Sequence, residues 1–91
     1  MKGQTVLLVE DNPDDEALTL RAFRKNNIRN EMIVAHDGAE ALALLFSDNG
    51  IRPALELLDL NLPKIGGLEV LRQMRADERT QMTPVVVLTS S

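Results

Sequence analysis

Three acidic residues stand where apolar runs end. Glu10-Asp11 closes Thr5 to Val9 (TVLLV), and Asp59 follows LELL within the stretch LELLDLNLP. Brought to one point, three carboxylates repel one another at neutral pH, a conflict that a bound cation removes. Oxygen donors with no nearby His or Cys favour a hard ion, and Mg²⁺ suits a site of few carboxylates and several retained waters. The alternative is that these are solvated loop acids. Asp11-Asn12-Pro13-Asp14-Asp15 is not an EF-hand loop, because the glycine and the later Glu are misplaced. Thr89 follows PVVVL and offers a hydroxyl to anything attached to Asp59, provided the last strand lies beside the third; ending a strand would explain it equally well. Metal, nucleophilic carboxylate and hydroxyl donor together suggest phosphoryl transfer to Asp59.

The elements that must position these groups follow from periodicity. TVLLV is an apolar, β-branched run suited to a parallel strand buried on both faces. Asn12-Pro13 then starts a helix to about Asn27, with Asp14, Asp15 and Glu16 at the positive end of its dipole and Ala17, Leu20 and Phe23 on its apolar side. Met32 to Ala35 reads as a strand, Asp37-Gly38 opens a helix carrying Ala41, Leu42, Leu45 and Phe46, and Ala54 to Leu58 is the third strand. After the turn Leu62-Pro63 to Gly66-Gly67, Leu68 to about Ala76 is a helix with Leu71 and Met74 inward, and Pro84 to Leu88 is the fourth strand. The β-α-β-α-β-α-β order predicts an α/β fold, a parallel sheet with helices on both faces. In the flavodoxin-like order 2-1-3-4, the switch point falls between strands 1 and 3, where ligands bind outside the carboxyl ends. Those ends carry Glu10, Asp11 and Asp59.

The bulk properties set limits. A chain of 91 residues is one domain, 1–91, with a thin core. Fourteen acidic against ten basic residues, net −4, oppose a sequence-independent grip on nucleic acid. The absence of cysteine excludes disulfides and thiolate chemistry and fits a reducing compartment. There is no apolar run of membrane-spanning length and no signal peptide pattern, so a cytoplasmic location is expected.

LLVEDNP, LLDLNLP centred on Asp59, Gly67-Leu68-Glu69-Val70-Leu71 and PVVVLTSS occur in an order and spacing that resembles the receiver domain of two-component response regulators over essentially the whole chain. The stretches NPDDEALTLRAFRKNN and RADERTQMTPVVVLTSS are similar to single-domain regulators that accompany bacterial phytochrome-type histidine kinases. The resemblance implies that Asp59 accepts a phosphoryl group from a kinase phosphohistidine. It also implies that Asp11, Asp59 and the backbone carbonyl of Asn61 bind Mg²⁺, that Glu10 acts through a metal-bound water, and that Thr89 is the switch hydroxyl. Asp37, Gly38, Pro63 and Gly67 read as caps and turns, and His36, the only histidine, as incidental to the chemistry.

The sequence departs from that family in several places. Relative to a full receiver, strand 5, helices 4 and 5 and the phosphate-contacting Lys are absent from these residues, which predicts an exposed Val-rich edge at strand 4, an apolar patch beside the lone first helix, and self-association. Gly66 replaces a usual Asp and removes a helix cap worth about 1 kcal/mol. Glu56 stands where an aliphatic residue is common; it is expected either to face the poorly covered side of the sheet or to find a basic partner. Two other functions remain: a degenerate receiver used only for interaction or dimerisation, and an aspartyl-nucleophile phosphohydrolase. Asn61 opposes the second, because an amide in the acid/base position cannot shuttle a proton.

Overall fold

A computed structural model describes residues 4–88. Seven elements alternate along them: β1 (Thr5–Val9), α1 (Pro13–Lys25), β2 (Glu31–Ala35), α2 (Gly38–Phe46), β3 (Leu55–Asp59), α3 (Gly67–Ala76) and β4 (Val85–Leu88). The strands form a parallel sheet in the order β2-β1-β3-β4, as expected from the sequence. Side chains alternate between its faces. Leu7, Val9 and Leu58 pack with Ala41 and Leu45 of α2 and Val70 and Met74 of α3, whereas Val6, Leu8 and Leu57 meet Phe23 of α1 on the opposite face. In α3 the inward pair is therefore Val70 and Met74, with Leu71 only half-buried.

Local signals set the element ends. The Asn12 side chain accepts from the amides of Asp14 (2.8 Å) and Asp15 (3.2 Å), and Pro13 occupies the first turn, where no amide is needed. α1 stops at Lys25, two residues short of the expected end at about Asn27, because Asn27 takes a left-handed conformation (φ 59°) and the Ile28 amide turns back to the Phe23 carbonyl at 2.9 Å. Asp37 caps α2 through the Glu40 amide at 2.7 Å.

The two faces are unequally covered. No residue of α1 is buried, Leu18 is 61 % exposed, and Val86, in register with Leu57 on the α1 side, is 48 % exposed. The open patch foreseen beside the first helix is present among the described residues.

Glu56 contradicts its expectation. Alternation and its register with Leu7 place it on the face covered by α2 and α3, not the open one. It is 0 % exposed, and neither carboxylate oxygen has a hydrogen-bond partner. Burial dominates and pushes the carboxyl up to about 7; the charge of Arg75 acts the other way without bonding to it.

Two adjacent glycines at the start of α3 make opposite demands. Gly66 occupies the cap position with ordinary extended dihedrals, makes no side-chain cap bond, and would present a Cβ to open space. A Cβ on Gly67 would lie 2.5 Å from the Asp59 carbonyl oxygen and 2.7 Å from the Leu60 Cα. Urea denaturation is therefore expected to show Gly66→Asp stabilised by a few tenths to about 1 kcal/mol. Gly67→Ala should be destabilised by roughly 1–3 kcal/mol, since only backbone movement relieves its contact.

Candidate metal and phosphoacceptor site

The pairing of β1 with β3 assembles the site. Val9 lies opposite Leu58, so the next residues along each strand, Glu10 and Asp59, emerge side by side at the carboxyl edge of the sheet. Each is only 3 % exposed. Asp11 follows on the solvent side, and one oxygen from each of Glu10, Asp11 and Asp59 lies within 4.8 Å of the others. Asn61 joins them from the turn after β3, its amide donating to Asp59 Oδ1 at 2.9 Å.

The site leaves an electrostatic mark on Glu10, which is pushed up to about 7. Burial is the largest cause; the Asn12 amide, donating to Oε2 at 3.2 Å, acts the other way, and the hydrogen bond and charge of Asp59 add to the rise. A cleft that holds a carboxyl partly protonated at neutral pH, with only oxygen donors facing one another, fits a hard divalent cation: the ion would supply the positive charge that the proton now supplies.

The remaining predicted residues divide. β4 sets Leu88 opposite Asp59, and Thr89, the expected hydroxyl, lies outside the described residues. Asp37 and Gly38 act as cap and close contact: a Cβ on Gly38 would meet the Ile65 carbonyl oxygen at 2.0 Å, which brings the turn before α3 against the start of α2. Lys64 reinforces that contact with an ion pair to Asp37 at 3.3 Å, in a left-handed conformation (φ 65°). His36 stands apart from the acid group. Its Nε2 lies 3.0 Å from Glu16 of α1, and its amide donates to Glu40 of α2, so it ties together helices on opposite faces around the edge of β2. Sequence reasoning missed this link, because Glu16 and His36 meet only once α1 has crossed the sheet.

A parallel sheet with carboxylates gathered at the crevice where its strand order reverses defines an α/β ligand-binding protein of the flavodoxin-like class. Residues 6–91 match the model of the response regulator receiver domain, and the chain belongs to that signalling family. It is 41 % identical over 92 residues to response regulator Rcp1 of Synechocystis, a match covering 97 % of this chain and 63 % of Rcp1. The bacteriophytochrome response regulator AtBRR has a similar solved structure (TM-score 0.89, 48 % identity, 97 % of this chain and 67 % of that one). So does the phosphorylated cyanobacterial phytochrome response regulator RcpA (TM-score 0.87, 41 % identity, 97 % and 66 %). The Mn²⁺-bound form of Rcp1 superposes at a TM-score of 0.89, covering 97 % of this chain and 66 % of Rcp1. The chain thus spans about two thirds of the length of these relatives, all of them response regulators.

A divalent cation bound among these oxygens stabilises the folded state by mass action. Thermal denaturation at neutral pH is expected to show a midpoint that rises with Mg²⁺ or Mn²⁺ in the native chain and stays fixed in Asp11→Asn.

Proposed function

We propose that Asp59 accepts a phosphoryl group from the phosphohistidine of a histidine kinase in the cytoplasm, and that the chain signals through phosphorylation-dependent protein contacts. The convergence of Glu10, Asp11 and Asp59 at the β1–β3 crevice carries this reading. In the transfer, the P–N bond of the donor breaks as a P–O bond forms to an Asp59 oxygen. The histidine nitrogen keeps the electron pair of the broken bond. Asp11, Asp59 and the Asn61 carbonyl would hold Mg²⁺, Glu10 would act through a bound water, and Thr89 would supply the switch hydroxyl. The ion's contribution is charge neutralisation on the phosphoryl oxygens. Support comes from relatives solved with Mn²⁺ and in phosphorylated form, and the phytochrome regulators among them favour a phytochrome-type kinase as donor.

Residues 1–91 act in this reading as receiver, without turnover of a separate substrate. Incubation with acetyl phosphate and Mg²⁺ followed by intact-mass analysis is expected to give a base-labile adduct of about 80 Da, the mass of one phosphoryl group, absent in Asp59→Asn. Release of phosphate from unrelated phosphate esters would instead indicate the hydrolase.

A second reading, association of the chain with itself, has its own support in the β4 edge, where Val86 and Val87 are both exposed. Sedimentation of the 91-residue chain across a concentration series should show mass rising with concentration; a monomer throughout contradicts this.

A further inference from the structure

Glu56 is the buried ionisable group that phosphoryl chemistry leaves unused. It lies mid-strand in β3, with its side chain on the opposite face from Asp59. Leu7 of β1 and Val85 of β4 flank it in register, and both are apolar. The only charged residue of α2, Glu40, is engaged at the start of its own helix. On α3, Glu69 and Arg72 pair with each other; in the segment after it, Asp77 and Arg79 pair at 2.9 Å and Glu78 is exposed. That leaves Arg75, whose charge reaches Glu56 without a hydrogen bond.

Arg75 is already committed elsewhere. Its Nη1 donates to the carbonyls of Thr80 (3.4 Å), Gln81 (2.8 Å) and Thr83 (2.9 Å), holding the segment between α3 and β4 folded against the helix end. Buried Thr80 adds a bond from its hydroxyl to the Met74 carbonyl at 2.7 Å. One guanidinium nitrogen therefore fastens three carbonyls while its charge acts on an enclosed carboxyl that has no partner.

We propose that Glu56 is a proton-binding site that sets how tightly the α3–β4 segment is held. As a neutral acid it leaves Arg75 on the three carbonyls; as a carboxylate, its proton given up to solvent, it draws the guanidinium inward and releases them. The effect would reach the phosphoacceptor edge, because the Glu56 amide donates to the Pro84 carbonyl at 2.9 Å and β4 then runs on to Leu88, opposite Asp59. The inference rests on the fold alone and holds whether or not Asp59 is phosphorylated.

The sign of the linkage follows from burial. With the folded value raised from 4.5 to about 7, the folded chain holds the proton more tightly than the unfolded chain between those limits. The stabilisation is fully present below about 4.5, is lost as pH rises to about 7, and changes little above that.

NMR titration of the intact native protein from pH 5 to 9 tests the proposal. The carboxyl carbon of Glu56 is expected to titrate with a midpoint of about 7, and the resonances of the Arg75 guanidinium and of the amides of Thr80 to Thr83 to change with it. Hydrogen-exchange protection of the Thr80 and Thr83 amides, corrected for intrinsic rates, should fall about tenfold from pH 6 to 8. Glu56→Gln should abolish these changes at Arg75 and at 80–83, and Glu56→Met serves as a second neutral side chain should the first fail to fold. An ordinary Glu56 midpoint overturns the proposal, as does a titrating Glu56 with Arg75 and 80–83 unmoved, or the same pH response in either variant.

Discussion

The parallel pairing of β1 with β3 is the constraint on which the rest of the molecule depends. Parallel strands repeat with a fixed register, so once Val9 faces Leu58 the residues beyond them have no freedom to diverge, and two buried acids are forced together at the edge. Hydrophobic burial of Leu7, Leu8, Leu57 and Leu58, all nearly inaccessible to water, drives that pairing. The apolar core thereby supplies the work needed to bring like charges together. The site is electrostatically strained by construction and is relieved by a proton or by a cation.

Much of this was legible in the residues themselves. Asp59 and the Glu10-Asp11 pair declared themselves by ending apolar runs, and the alternation of such runs with helical spacing fixed the element order; the strand order was left open by periodicity and came with the resemblance, while crossover handedness gave the face of each helix within that order. Local chemistry was legible too: the Asn12 and Asp37 caps, and the missing cap at Gly66, stand as read. Where reading failed, the cause was tertiary. The burial of Glu56 depends on how α2 and α3 close over its face of the sheet, which no periodicity in LELLD encodes. The choice of Val70 over Leu71 turns on the rotation of α3 about its axis, and the helix pattern leaves that loosely determined.

Coverage of the sheet explains why the two faces behave differently. On one, α2 and α3 bury a continuous set of side chains from Leu7 to Met74. On the other, α1 covers Val6, Leu8 and Leu57 without burying any residue of its own. Near its start, the Glu16 contact with His36 at 3.0 Å adds a link from α1 to the end of β2.

The central position of β1 has a consequence for synthesis. Of the four described strands this one is made first, yet it needs neighbours on both sides, and its partner β2 ends at Ala35 while β3 ends only at Asp59. As the chain leaves the ribosome, β1, α1 and β2 are available to one another well before β3 exists, so one side of an apolar strand waits unpaired through the making of α2. Glu10 and Asp59 meet only when that wait ends. The charge conflict at the edge is thus imposed late, on a half-sheet already able to form, and the nascent chain does not carry it through its earliest steps.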